Sequence, residues 1–254
     1  MVDLQGVSSL PIKFNAATTT FEFADPIKCR QSKIISLQNL VPALLNKTLR
    51  YPENVYEENI DLFMCDDSEI FDSEKLHYEV IVLPSGLLGI EYIKSHVYYS
   101  PKEKGKTSSV VECLYGILTI IVQKNKPKDE YDFETSVEEG MMIKLRKGEK
   151  IEIPTGYFYT FINTRNTPVI FSRTYKNKAV VDYTMLQNEK GLAYFAIRKN
   201  ARAEVVYNPK YKYIPRLKKH TAGCDKFKFE FPKMSVYNAA KKNTSYFMDK
   251  LAAV

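Results

Sequence analysis

Between residues 77 and 171 the apolar residues fall in short runs broken by single polar positions or by Gly, Pro, Lys and Asn. Tyr78-Glu-Val-Ile-Val-Leu, Gly89-Ile-Glu-Tyr-Ile and Leu114-Tyr-Gly-Ile-Leu-Thr-Ile-Ile-Val-Gln are rich in β-branched and aromatic residues, which suit a pleated, half-buried surface. Met141-Met-Ile-Lys-Leu, Lys150-Ile-Glu-Ile-Pro, residues 158–162 and Val169-Ile-Phe continue the pattern. Turn signals at this spacing predict an antiparallel sandwich or barrel, so the fold class is all-β. Tyr194-Phe-Ala-Ile-Arg and Ala203-Glu-Val-Val-Tyr predict one more hairpin, turning around Lys199-Asn200. Upstream, residues 19–23 and 33–37 read as short strands and residues 40–49 as a short helix.

After Tyr207 the regularity fades. Asn208-Pro-Lys-Tyr-Lys-Tyr-Ile-Pro-Arg-Leu-Lys-Lys-His220 sets cations among aromatics between two prolines, which predicts extended backbone lying on a surface. Lys226-Phe-Lys-Phe-Glu-Phe231 alternates with period two, as an edge strand or extended arm would. Residues 235–251 read as a closing helix, capped at Ser235 or Thr244. The expected division is an N-terminal α/β extension (1–60), a barrel domain (61–207) and a basic C-terminal arm (208–254).

Charge sharpens that division. The chain of 254 residues carries a net +7. From Arg198 onward there are 14 Lys or Arg against 4 Asp or Glu, so the last quarter holds +10 and the remainder −3. Such asymmetry points to nucleic acid or an anionic surface, against the plainer reading of a solvated tail. Arg198, Lys199, Arg202, Lys210, Lys212, Arg216, Lys218 and Lys219, with Lys241 and Lys242 further on, are the candidate phosphate contacts. Tyr207, Tyr211 and Tyr213 are candidate stacking partners for unpaired bases. No RNA-recognition consensus, KH-type loop or zinc finger accompanies them. Cys29, Cys65, Cys113 and Cys224 form no C-x-x-C pair and predict reduced, mostly buried thiols rather than a zinc site. With no signal-like start and no membrane-length apolar run, a cytoplasmic protein is expected, with no membrane partner.

One stretch is more specific than the rest. Gly148-Glu-Lys-Ile-Glu-Ile-Pro154-Thr-Gly156-Tyr-Phe-Tyr159-Thr-Phe-Ile-Asn163 resembles the second cupin signature, G-x5-P-x-G-x2-H-x3-N, at every spacing. Tyr159 stands where a cupin places its last metal-binding histidine. Leu83-Pro-Ser-Gly, Gly89-Ile-Glu91, Gly116 and a Y-x6-D-Y pattern formed by Tyr175, Asp182 and Tyr183 narrow the likeness to the cupin-type glucose-6-phosphate isomerases, over about residues 21–211. The resemblance implies a double-stranded β-helix and, in that family, a metal that polarises a sugar carbonyl beside tyrosines lining a sugar-phosphate pocket. It also implies a tendency to dimerise in the free state.

The family's first signature, H-x-H, aligns with Lys94-Ser-His96-Val-Tyr98-Tyr99-Ser100 in either of two registers. One puts Val97 and Tyr99 at the histidine positions; the other keeps His96 and puts Tyr98 at the second. The glutamate position falls on Ser109, while Glu112 is three residues too late. At most one of four ligands survives, too few for a transition metal, and a phenol with a pKa of about 10 is a poor replacement. No cofactor and no required metal are therefore expected. His96 reads as a satisfied or surface histidine, and His77 and His220 have no evident partner.

Tyr98, Tyr159, Tyr175 and Tyr183 admit two readings: a vestigial ligand pocket, or aromatic mass filling the space left by metal and ligands. Filling is preferred for Tyr98 and Tyr159, since an empty cage would leave a destabilising void. The chain also resembles a metal-ligand-deficient eukaryotic branch of the family that binds idle ribosomes as dormancy factors. That likeness implies a non-enzymatic, ribosome-binding cupin. It would contact rRNA and ribosomal proteins near the tRNA exit site and inhibit translation during hibernation. The alternatives are a sugar-phosphate isomerase and a sugar-phosphate-sensing pseudoenzyme.

Overall fold

A computed structural model describes residues 1–71, 76–127, 135–176 and 191–252. The chain opens with an antiparallel ribbon, β1 (Val2–Asp3), β2 (Ile12–Asn15) and β3 (Thr20–Phe23), with a single helical turn α1 (Gln5–Ser8) after β1. The long strands β4 (Ile27–Ser36) and β5 (Asn54–Met64) follow, joined through α2 (Leu37–Leu40) and a 3-10 turn at Val41–Ala43. Then come β6 (His77–Leu83), β7 (Leu87–Leu88), β8 (Glu91–Tyr92), β9 (Tyr98–Tyr99), β10 (Thr107–Tyr115) and β11 (Ile117–Asn125). β12 (Val137–Arg146), β13 (Lys150–Pro154), β14 (Phe158–Ile162) and β15 (Val169–Tyr175) complete the central part. The last elements are β16 (Tyr194–Lys199), β17 (Arg202–Tyr207), β18 (Lys218–Thr221), α3 (Val236–Lys242) and α4 (Thr244–Lys250).

Two sheets enclose the core, in the orders β13-β10-β15-β6-β5-β4 and β18-β12-β11-β14-β9. Val111, Cys113, Leu118, Ile120, Ile143, Phe161 and Phe171 meet between them. Each sheet is also covered outside. Val80, Val82, Val110 and Ile170 pack under Val236, Ala239, Ala240 and Phe247 of the C-terminal helices. Ile121, Met142 and Phe158 pack under Tyr194 and Ala196 of the β16–β17 hairpin, part of a smaller sheet ordered β17-β16-β8-β7. Burial on both faces explains why these strands read as continuous apolar runs rather than strict alternation.

Several expectations need correction. The boundary at residue 60 cuts through β5, which pairs with both β4 and β6; the barrel therefore includes part of the expected extension. Residues 40–49 are not a helix: α2 ends at Leu40, and Pro42 leaves only a 3-10 turn, since proline cannot donate within a helix. The C-terminal segment is not a trailing arm. Phe227, Phe229, Tyr237, Phe247 and Leu251 are core residues, and Tyr237 stacks on Phe71 with ring centroids 4.8 Å apart.

Within that segment, residues 226–231 form no strand. A 3-10 turn at Asp225–Phe227 is followed by irregular backbone, yet Phe227 and Phe229 point inward and Lys226 and Lys228 outward. The alternation thus reports an extended segment on an apolar surface rather than sheet pairing. Ser235 caps α3, accepting from Asn238 N, but the closing helix breaks at Asn243 and Thr244 is not a cap. The hairpin turns at Asn200 and Ala201, both at positive φ, as a two-residue turn between twisted strands requires. Of the four thiols only Cys113 is buried, where burial pushes its pKa up to about 12. Among the described residues no helix is long and apolar enough to cross a membrane.

Glu112 links the barrel to the C-terminal helices. Its carboxylate lies 3.1 Å from Lys150 Nζ and accepts from Val236 N at 2.7 Å. Burial nevertheless raises its pKa to about 7, opposed by Lys150. The folded state therefore binds the proton more tightly than the unfolded chain, whose Glu titrates near 4.3. The stabilisation is full below about pH 4.3 and is lost as pH rises through about 7, by up to about 4 kcal/mol. Urea unfolding at pH 4.5 and 7.5 should show Glu112→Gln losing less stability with rising pH than the wild type; equal losses would refute the assignment.

Candidate functional site

The barrel interior is built by period two. In a strand, alternate residues share a face, and Ile81 and Leu83 mark the inward face of β6. His77 and Glu79 lie on that same face. Across the ladder Glu79 pairs with Arg173 and His77 with Tyr175; on the neighbouring strand Tyr56 and Glu58 point the same way. All are at least nine-tenths buried.

These groups form one connected network. Arg173 Nε lies 2.6 Å from Glu79 Oε1, at an angle that leaves it an ion pair rather than a hydrogen bond, since both atoms lack a hydrogen-bond partner. The guanidinium sits 4.0 Å from the Tyr98 ring centre and 4.5 Å from that of Tyr175, a desolvated cation–π arrangement. Tyr175 donates to Glu79 Oε2 at 3.2 Å and stacks on His77, whose Nδ1 is 2.6 Å from Asp61 Oδ1. Tyr56 and Tyr98 both donate to Glu58 Oε1 at 3.0 Å. Burial works against the Arg173 charge, but Glu79 and the surrounding phenols hold it cationic. Burial raises the Glu79 carboxyl, opposed by Arg173 and reinforced by Glu58. Nη1 of Arg173 is buried without a hydrogen-bond partner.

The ladder also fixes the register that the sequence left open. Tyr98 pairs directly with Tyr159 across β9 and β14, and their rings stack at 5.4 Å. His96 lies edge-on to Tyr98 and Tyr56. So His96 takes the first position of the motif and Tyr98 the second. Ser109 also faces inward: the Tyr159 hydroxyl is 3.1 Å from both Ser108 Oγ and Ser109 Oγ. An imidazole, two phenols and a hydroxyl thus meet on this inward face. Burial lowers the His96 pKa. Among the described residues no three His, Cys, Asp or Glu side chains converge on one point. Asn163 is structural, its amide donating to the carbonyls of Leu83, Pro84 and Thr167. Asp182 and Tyr183 lie outside the described residues.

His77 was expected to lack a partner; Asp61 and Tyr175 supply two. Glu58, Glu79 and Arg173 were missed altogether. A charged residue on the inward register of an otherwise apolar strand was the signal that could have found the last two.

The cationic residues sort into distinct places. Arg216, Lys218 and Lys219 line a groove of about 830 Å³ between β17 and β18, floored by Met142 and Lys144 of β12. β18 continues the five-stranded sheet by parallel pairing, Met141 with Lys218 through Lys144 with Thr221. Burial lowers the Lys144 pKa, with Arg165 and Lys219 adding repulsion. Lys144 and Arg165 come from the barrel and were not among the expected contacts. Arg198, Lys199 and Arg202 are exposed at the hairpin turn, and Lys210 and Lys212 are exposed on the link to β18. Lys241 and Lys242 lie on α3, over the other sheet, where Lys241 is 2.6 Å from Asp67.

Tyr211 corrects the aromatic expectation. It is buried; its hydroxyl donates to Gly191 O and accepts from Gln123, so it anchors the segment and presents no stacking face. Tyr207 and Tyr213 are 51% and 55% exposed, and Lys126 already sits over the Tyr213 ring.

A β-barrel of two facing sheets, with the Gly148 to Asn163 signature joining β13 to β14, defines an all-β cupin. The chain belongs to the glucose-6-phosphate isomerase family, whose model matches residues 38–216. No curated protein matches the sequence. Solved structures similar in part include an oxalate decarboxylase mutant of Bacillus subtilis, 13% identical over 52% of this chain and 28% of that one, at a TM-score of 0.33. The formate complex of Lactobacillus farciminis oxalate decarboxylase is 14% identical over 49% and 29%, at 0.34. This chain thus spans under a third of either length.

Proposed function

We propose that this protein is a non-catalytic cupin that binds the ribosome through its cationic groove and holds it inactive, in the manner of the microsporidian dormancy factor it resembles. The groove carries the proposal. It gathers four cations, three from the C-terminal segment and one from the barrel, on a fixed β-edge beside an exposed tyrosine. Such a surface suits phosphate contacts with rRNA, with ribosomal proteins as further partners. The barrel interior supports the non-catalytic part. Two stacked phenols and a serine stand at three of the positions where the family places metal ligands, and a neutral phenol is a weak ligand for a divalent ion.

Sedimentation through sucrose gradients tests this. The protein should comigrate with ribosomes in low salt and migrate free in high salt, because each phosphate contact releases a counterion. Free migration in both would overturn the proposal.

One observation favours a second reading, a sugar-phosphate isomerase or sensor. Arg173 directs an unpartnered guanidinium nitrogen into the barrel beside Tyr175, as an anion subsite would. Turnover of a phosphorylated aldose that depends on added iron, nickel or manganese would establish the enzyme. Binding of the sugar phosphate without turnover would establish the sensor.

A further inference from the structure

Resting on the ribosomal reading above, we propose that the groove between β17 and β18 is a channel for an unpaired RNA strand. One base stacks on Tyr207, and its phosphates lie against Lys144, Arg216, Lys218 and Lys219.

Size is the first argument. A groove of about 830 Å³ is in the range of clefts that hold a single small molecule, about 300–1,000 Å³. One or two nucleotides fit; a duplex can only rest across the rim. A duplex also keeps its bases stacked inside, so it offers nothing to an aromatic face.

The platform is the second argument. Tyr207 is half exposed, yet its other side is held edge-on by Tyr194, with centroids 5.8 Å apart. Tyr194 is itself fixed. Its hydroxyl donates to Pro215 O at 2.8 Å, tying the hairpin wall to the segment that leads into the opposite wall. It lies so close to β12 that a Cβ on Gly140 would fall 2.2 Å from its hydroxyl. A half-exposed ring on a rigid support is what base stacking needs, and stacking tolerates any base.

The charges are the third. Lys144, on the floor, is destabilised by burial and by its cationic neighbours, and a phosphate in the groove relieves both. Glu204 is the acidic residue of the lining, placed to accept from a ribose 2′-hydroxyl or a base amino group. β17 and β18 each end their own sheet, and edge strands offer backbone donors and acceptors as further partners. An acidic peptide could use the charges and edges but has no comparable use for the Tyr207 face.

The test is fluorescence anisotropy of the full-length protein with a labelled ten-nucleotide RNA of mixed sequence, single-stranded or annealed to its complement. The single strand should bind at least tenfold tighter. With the phosphates of two nucleotides held in the groove, its affinity should fall about sevenfold between 50 and 200 mM salt. Tyr207→Ala should weaken it about tenfold, while Lys28→Glu, exposed on β4 at the edge of the other sheet, should leave it unchanged. Equal or tighter duplex binding, an unaffected Tyr207→Ala protein of wild-type thermal stability, or equal competition by poly-glutamate would each overturn the inference. If the RNA fails to bind while ribosome comigration persists, this inference falls and the ribosomal reading stands; loss of both removes both.

Discussion

Charge reversal at Arg216, Lys218 and Lys219 together, each to Glu, is expected to abolish comigration with ribosomes while leaving the barrel folded. The three side chains line the groove and are exposed, whereas β18 is held by its backbone pairing with β12, which the substitutions keep. Losing three phosphate contacts should lower the slope of log affinity against log salt by about 3 and weaken binding by about a hundredfold or more at low salt. Lys28→Glu should keep binding, because Lys28 is exposed on β4 at the edge of the other sheet. Comigration of the triple variant at wild-type salt sensitivity would sink the groove as the docking surface.

Arg173→Leu is expected to cost about 3–5 kcal/mol of folding stability, since removing one partner of a buried ion pair strands the other. Glu79 would remain buried with only the Tyr175 hydroxyl, and two tyrosine faces would lose their cation. Replacing both partners, Arg173→Leu with Glu79→Leu, should recover most of the loss, because a buried pair is often no more stable than apolar residues of similar volume. Urea unfolding of the two singles and the double gives the coupling energy. If Arg173→Leu instead stabilises the protein, the arginine is held for a ligand, because sites kept for binding commonly cost stability.

The strands, their approximate bounds and the hairpin were legible because they depend on local pattern and turn chemistry. Gly148, Pro154, Gly156 and Asn163 located one family signature for the same reason: tight turns and a buried amide restrict residue type at fixed spacing. The first signature was ambiguous because a one-residue shift moves every side chain to the other face of the strand. Only the pairing of Tyr98 with Tyr159 resolved it.

The C-terminal segment was read as an arm because its cations dominate the composition. Its phenylalanines were visible, but whether they face water or an apolar sheet depends on β6, β10 and β15, over a hundred positions earlier in some cases. The groove is likewise a product of distance in sequence. Lys144 and Lys219 meet because β18 docks in parallel beside β12, and no local spacing encodes that.

The sequence by itself determined an all-β barrel, its membership signature and a surplus of positive charge near the end, since each rests on periodicity, turn geometry or simple counting. The tertiary structure decided which inward residues meet as the Glu79–Arg173–Tyr98–Tyr159 network and which cations share a groove. Both are contacts between strands far apart in the chain, set by register and packing rather than by neighbouring residues.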